Sequence, residues 1–232
     1  WRLFQLGFIL SNIVSPSTRL KEFEHLYAPN RDAIESASLL YFATGGGKSE
    51  AFFGLLLFTL FVDRLRGKHR GISALIRYPL RLLTAQQARR LARVLAKAEI
   101  VRRKEKIDGA PFEIGFWVGS GSTPNRLADG DQVKDEFTCI PAIDSPEHTD
   151  EPANLLEPAY LAAQRDYNKL PSCPFCNRLT ALRRYPAEQQ RLGIVCLNGQ
   201  CEWNEETRTS VQRPLPFLLV DFDIYRTAPA IL

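Results

Sequence analysis

Hydrophobic and polar positions in this chain follow two periods. Trp1 to Val14 is apolar at helical spacing. Arg81 to Arg103 carries Leu82, Leu83, Ala85, Ala88, Leu91, Ala92, Leu95 and Ala96 on one side, with arginines on the other. Lys48 to Arg66 reads as a third helix, Leu155 to Arg165 as a fourth, and Lys21 to Leu26 as a helical turn within a connector. Short unbroken apolar runs read as buried strands: Ile34 to Phe42, Ile72 to Tyr78, Phe112 to Val118 and Pro216 to Asp221. The order strand, helix, strand, helix, strand predicts an α/β fold with a parallel sheet, right-handed crossovers and helices on both faces.

Composition narrows the class. A chain of 232 residues holds one large domain, or one domain and a small module. Hydrophobic content of 45% beside 24% charged residues fits a soluble globular protein. The run Ala51 to Val62 is too short to span a bilayer, so a membrane partner is not expected. No signal peptide is visible, and the chain neither begins with Met nor contains one, as expected of a piece of a longer protein. Five cysteines beside the glycine turn described next suggest a reducing cytoplasm and a metal rather than disulfides. Charge is uneven: residues 64–106 hold fourteen Lys or Arg against Glu99 and Glu105, whereas Asp129 to Asp166 is acidic. Such a basic segment favours a polyanion, nucleic acid first, or is a solvated helix face.

The sharpest motif is Ala43-Thr44-Gly45-Gly46-Gly47-Lys48-Ser49-Glu50, set between an apolar strand and an apolar helix. Glycines let successive backbone N–H groups turn inward onto phosphate oxygens at a helix N-terminus. Thr44, Gly45, Gly46 and Gly47 would cradle the phosphates of ATP. Lys48 would neutralise the β- and γ-phosphates, Ser49 would ligate Mg²⁺, and Glu50 would sit favourably at the helix dipole. The longer consensus has another glycine where Phe42 stands, so the match is to the shorter A-T-G-x-G-K-[S/T] form. A ligand-free structural turn is the bland alternative.

Two further motifs carry chemistry. In Ile76-Arg77-Tyr78-Pro79-Leu80-Arg81-Leu82-Leu83-Thr84, a strand breaks at proline and a helix begins. Arg77, Arg81 and Thr84 would lie at the carboxyl edge of the sheet, suited to the phosphates of a nucleic-acid strand, or forming an ordinary turn whose arginines pair with acids. Cys173-x-x-Cys176 and Cys196-x₄-Cys201 have the spacing of a four-thiolate Zn²⁺ site, with Arg178, Arg183, Arg184 and Lys169 nearby to keep the thiolates ionised. Such a closed site is structural, stapling an insertion too small to fold on its own core. Cys139 has no partner in this pattern and reads as a small hydrophobe. Phe217 to Val220 leads to Asp221 as a metal-binding acid would require, but Phe222 stands where a Glu is expected, so Asp221 reads as part of a linker.

A-T-G-G-G-K-S-E together with I-R-Y-P-L-R-L-L-T-A-Q-Q resembles motifs I and Ia of superfamily 2 helicases. The nearest likeness is to the large helicases of bacterial phage-defence systems, the DISARM-type, DrmA-like family. The opening W-R-L-F-Q-L is similar to the segment preceding their phosphate loop, which implies that Gln5 reads the adenine edge. Gln87, in T-A-Q-Q, is implied to face nucleic acid. Phe116 to Gly119 with Thr123-Pro124-Asn125 resembles the third strand and its nucleic-acid-facing loop. The resemblance implies a RecA-like ATP-binding lobe, a second lobe that supplies an arginine finger, DNA rather than RNA as track, and other defence-system subunits as partners. It also implies that the Asp-Glu motif lies beyond Asp221. The chain divides accordingly into a lobe at 1–130, an acidic connector at 131–170, a zinc module at 171–213 and a returning strand at 214–232. Two other readings stay open: a phosphate-loop NTPase that does not act on nucleic acid, and a zinc-ribbon binding module with a vestigial loop.

Overall fold

A computed structural model of the chain describes residues 1–29, 37–41, 46–77, 81–117, 123–143, 156–185, 191–207 and 212–232, with the backbone alone for 81–86. In chain order the described elements are α1 (Leu3–Asn12), α2 (Val14–Ser17), a 3₁₀ turn (Lys21–Leu26), α3 (Lys48–Leu65), α4 (Arg81–Lys104), β1 (Ile114–Gly115), β2 (Ala128–Asp129), β3 (Gln132–Val133), α5 (Asp135–Thr138), α6 (Pro158–Tyr167), β4 (Thr180–Tyr185), β5 (Arg191–Cys196), α7 (Glu202–Thr207), β6 (Phe217–Leu218) and α8 (Asp221–Thr227). This is a mixed α/β architecture. None of the described helices is long and apolar enough to cross a membrane.

The expected sheet is realised only in small pieces. Among the described residues β1 pairs with β6 in parallel, while β2 pairs with β3 and β4 with β5 antiparallel, each as a two-stranded sheet. Isolated parallel bridges from Ile231 to Ala74 and to Ile114 place residues 230–232 between the segment around Ala74 and β1. Leu232 N–H donates to Ala74 O at 3.0 Å, Ile76 N–H to Leu232 O at 2.7 Å, and Gly115 N–H to Ile231 O at 2.8 Å. Of the run expected as a strand over Ile72 to Tyr78, the described part, 72–77, therefore contributes one bridge rather than a full strand. The run expected as the strand before the glycine turn lies partly outside the described residues, and its described part, 37–41, is not a strand. No described segment pairs with it, and Leu39 and Tyr41 are 90% and 93% exposed. An apolar run suits a strand with a neighbour on each side, and without those neighbours it gains no ladder.

The helices follow the sequence periodicity. On α4, Ala88, Leu91, Ala92, Leu95, Ala96 and Glu99 are buried, the i, i+3, i+4, i+7 stripe of a core-facing helix. They join Phe53 and Leu60 of α3, Phe112 and Ile114, and Phe217 and Leu219 in one hydrophobic core. Phe61 meets Phe112 edge-on at 5.2 Å. Helix α1 lies on α3 through Phe8 and Phe52, edge-on at 5.2 Å, and over Gly54, where a Cβ would stand 2.7 Å from Ile9 Cδ1.

Much of the basic run at 64–106 is spent within the fold. Buried Asp63 accepts from Arg66 Nε at 2.8 Å, Lys68 Nζ at 3.2 Å and Ser73 Oγ at 2.6 Å, with Arg19 at 3.4 Å. Buried Glu99 takes a bidentate pair from Arg102 (2.8 and 2.9 Å) and the Phe112 N–H (3.0 Å). Arg64 donates to Lys68 O and Ala110 O and lies over the Phe112 ring. The polar side of α4 faces the cysteine segment: Arg89 meets Asn177, Lys97 meets Glu202, Arg103 donates to Thr207 O, and Lys104 meets Glu206. That face is thus in large part an intramolecular interface.

Candidate functional site

Helix α3 begins at Lys48 because Gly47 supplies a left-handed cap, φ +89°, that a side-chain-bearing residue rarely adopts. A Cβ there would also stand 2.8 Å from Gln5 Nε2. Two side chains from the start of α1 hold this turn. Gln5, 6% exposed, donates from Nε2 to Gly47 O at 2.8 Å, while its Oε1 accepts the Arg2 N–H at 2.8 Å. Arg2 Nη1 donates to Gly46 O at 2.9 Å. The residue expected to read adenine thus has its amide occupied by the backbone of the glycine turn.

Above the turn opens a cavity of about 630 Å³, lined by Trp1, Arg2, Gln5, Gly46, Gly47, Lys48, Ser49, Glu50, Gln87 and Arg90. Gln87, which the resemblance places towards nucleic acid, lines the same cavity as Lys48, and its Oε1 accepts from Arg90 at 3.2 Å. Arg90 also forms an ion pair with Glu50. No sequence motif marks Arg90, because its relation to the glycine turn exists only once α4 packs beside α3. The α3 N-terminus, with Lys48 and Ser49, is suited to anions: orphan backbone N–H groups and the helix dipole favour negative charge there. Thr44 and Gly45 lie outside the described residues, as do the side chains of Arg81 and Thr84.

Arg77 is exposed and borders a separate apolar cavity of about 250 Å³ shared by Leu75, Ala88, Leu91, Phe116 and Trp117. On α8, Asp221 accepts from Thr123 Oγ1 at 3.2 Å, and its N–H donates to Pro124 O at 3.0 Å. Burial pushes the Asp221 carboxyl up, and the Thr123 bond partly opposes this. Asp221 thus stands in the first turn of a helix that follows β6, with Thr123 as a fixed partner of its own.

The cysteine pairs converge. The Sγ atoms of Cys173, Cys176, Cys196 and Cys201 all lie within 4.8 Å of one another, with Cys173 to Cys201 at 3.6 Å and Cys176 to Cys196 at 3.5 Å. Four sulfurs about 2.3 Å from one tetrahedral ion would lie about 3.8 Å apart, so the set fits a metal such as zinc. A turn through Asn177 (φ +60°) presents the first pair, with Cys173 N–H donating to Arg178 O. The end of the β4/β5 hairpin presents Cys196, whose carbonyl accepts from Asn204 and Gln212. The Cys196 thiol and the Cys176 and Phe175 N–H groups hold Cys173 down at about 5, despite burial. Burial, with the Cys173 thiolate, pushes Cys201 up to about 11. Two of the nearby arginines have backbone partners away from the thiolates: Arg184 donates to Ile140 O and Arg183 to Leu182 O. Backbone and sulfur donors stabilise the Cys173 thiolate. Cys139 stands apart, half-buried against the core.

The site therefore combines an anion-suited glycine turn with a closed four-cysteine centre on an α/β scaffold. No protein-family model matches the chain. From end to end the chain is homologous to part of the DISARM protein DrmA of Bacillus paralicheniformis (strain ATCC 9945a / NCIMB 11709 / CD-2), at 32% identity over 246 residues. The chain spans about a fifth of that relative's length, 19%. It is a DrmA-like sequence, as its motifs lead one to expect.

Proposed function

We propose that this chain is the ATP-binding, RecA-like lobe of a superfamily 2 helicase or translocase that moves on nucleic acid, DNA rather than RNA, in cytoplasmic antiviral defence. The observation that carries the reading is the cavity at the α3 N-terminus, walled by Gly46, Gly47, Lys48 and Ser49. Homology over the whole chain to a DISARM protein supports the defence setting and the presence of other subunits. In this reading the lobe spans 1–130, residues 214–232 return to it, 131–170 connect, and 171–213 hold zinc.

Bound ATP would supply the bond that is broken, and a Mg²⁺ ion would supply charge neutralisation for its phosphates. Lys48 would neutralise phosphate charge, the Ser49 hydroxyl would hold the metal, and the turn from Thr44 to Gly47 would donate backbone N–H groups. Gln5 and Arg2 hold the turn open by gripping the Gly47 and Gly46 carbonyls. Arg77, Arg81 and Thr84 supply strand contacts, and a second lobe completes the site. The cysteine centre has all four positions filled by thiolates, which leaves no open coordination site for chemistry.

The test is ATP hydrolysis by the full-length protein with and without single-stranded DNA. Stimulation by DNA, with Lys48→Ala lowering turnover about a hundredfold or more, is the expected result. Hydrolysis indifferent to DNA would favour an NTPase acting on small molecules. Absence of ATP binding would leave a zinc-ribbon module.

A further inference from the structure

Glu50 and Arg90 form an ion pair in the wall of the nucleotide cavity, beside Lys48. Glu50 stands in the first turn of α3, one residue past Ser49. Arg90 stands on α4 one turn beyond Gln87, which it also grips. The pair ties the helix that begins at the glycine turn to the helix that begins just after Arg77. From Arg89 onward the polar side of α4 is also fastened to the cysteine segment, through Arg89 to Asn177, Lys97 to Glu202, Arg103 to Thr207 O and Lys104 to Glu206. Among the described contacts, then, the Glu50–Arg90 pair links the earlier part of α4 to the cavity.

Glu50 presents a second feature. Its Oε2 is buried with no hydrogen-bond partner among the described residues. That oxygen lies 3.3 Å from where a Cβ on Gly47 would stand, so it points at the glycine turn. A buried carboxylate oxygen without a donor is a costly arrangement that an arriving donor relieves. Arg90 is the complementary case: a planar guanidinium matches phosphate oxygens as well as it matches a carboxylate.

We propose that Arg90 is a positioning residue that couples nucleotide occupancy to α4. A polyphosphate in the cavity competes with Glu50 for the Arg90 guanidinium, and the first turns of α4 move with that side chain. The inference rests on the nucleotide reading above. Because coupling between two binding sites is reciprocal, nucleotide and nucleic acid must change each other's affinity by one factor, and that factor depends on Arg90.

The test uses the full-length protein with adenylyl imidodiphosphate and a labelled single-stranded oligonucleotide. Two quantities are read for wild type, Arg90→Ala, Arg90→Lys and Glu50→Gln. One is the amide exchange of residues 81–90 without ligand. The other is oligonucleotide affinity with and without nucleotide. Arg90→Ala and Glu50→Gln should both speed exchange at 81–90, and Arg90→Ala should reduce a coupling of about five-fold or more in wild type to near unity. Arg90→Lys should keep part of it, since the charge survives without the fork. If nucleotide binds wild type but Arg90→Ala and Arg90→Lys keep its coupling and exchange, or wild type shows no coupling, this inference fails alone. If wild type does not bind nucleotide, the nucleotide reading fails and takes the inference with it.

Discussion

The cysteine centre and the glycine-turn cavity are both built from tight turns, yet they are finished in opposite ways. At the cysteine centre Cys173, Cys196 and Cys201 are at most 1% exposed, and Asn204 and Gln212 satisfy the Cys196 carbonyl. Trp203 stacks on Phe175 at 6.0 Å beside them. At the cavity Lys48, Ser49 and Glu50 are only partly buried, and the opening is large enough for a small molecule. In the first region every ligand atom faces another; in the second, Lys48, Ser49 and Arg90 line an open cavity, and Gln5 and Arg2 brace the turn through the Gly47 and Gly46 carbonyls. A site that only holds a fold together closes on itself, while one that takes and releases a substrate must leave polar groups unspent.

The largest effect should come from the closed side. Cys173, Cys196, Cys201 and Trp203 belong to the same core as Leu91 and Leu95 of α4, so metal loss should not stay local. Chelation, or Cys196→Ser, should lower the melting temperature of the whole chain and release one zinc ion. Structural zinc in small domains is worth about 10 kcal/mol or more at neutral pH. Melting in two separate steps, with α4 retained, would separate the two regions again.

Next is Asp63, which lies in neither region and fastens Ser73, at the start of the segment leading to Arg77. Burial alone would raise its carboxyl, but Ser73, Arg66 and Lys68 together hold it below the ordinary value near 3.8. Asp63→Asn should cost about 1–3 kcal/mol at pH 7 in urea unfolding, because a buried amide cannot replace the carboxylate that accepts from Ser73, Arg66 and Lys68 at once. The folded pKa is depressed, so this stability is present in full above the ordinary value. It is lost below that value as pH falls through the folded one. The difference between wild type and variant should therefore shrink towards pH 3.

The open side should respond more weakly in stability and more strongly in binding. Gly47→Ala places a Cβ at φ +89° and 2.8 Å from Gln5 Nε2. It should cost about 1–3 kcal/mol and weaken nucleotide binding measured by calorimetry. Gln5→Ala is the mildest: the Gly47 carbonyl and Arg2 N–H lose their partner, for about 1 kcal/mol, with nucleotide affinity reduced and the cysteine centre untouched. An adenine-reading Gln5 would instead show its loss as weaker preference for ATP over GTP.

The regions differ also in how far they could be read beforehand. The cysteine set was legible residue by residue, since short spacings confine pairs of thiolates whatever the surrounding fold. The stripe on α4 was legible too, because helical periodicity is local. The roles of Gln5 and Gln87 were less so: both occupy the cavity, but Gln5 grips the glycine turn and Gln87 sits beside Arg90. Several basic residues of α4, which as a charge run suggested a polyanion, meet the cysteine segment instead: Lys97 and Lys104 its acids, Arg103 the Thr207 carbonyl and Arg89 the Asn177 side chain. Charge in a sequence has a sign but no address.

The amino-acid sequence by itself determined which backbone turns form and which ligand types they carry. Gly47 permits a left-handed cap, Lys48 and Ser49 follow it, and Cys173, Cys176, Cys196 and Cys201 come in two chelating pairs. It also determined the kinship with a DISARM protein. Only the tertiary structure decided what lies opposite each of these. Packing α4 beside α3 put Arg90 onto Glu50, and packing α1 on α3 put Gln5 under Gly47. Folding the cysteine segment against α4 merged its core with the rest. The physical reason is range: turn geometry and each short cysteine spacing act over a few residues, whereas the Glu50–Arg90 pair and the Gln5–Gly47 contact join positions that the chain separates by 40 and 42 residues.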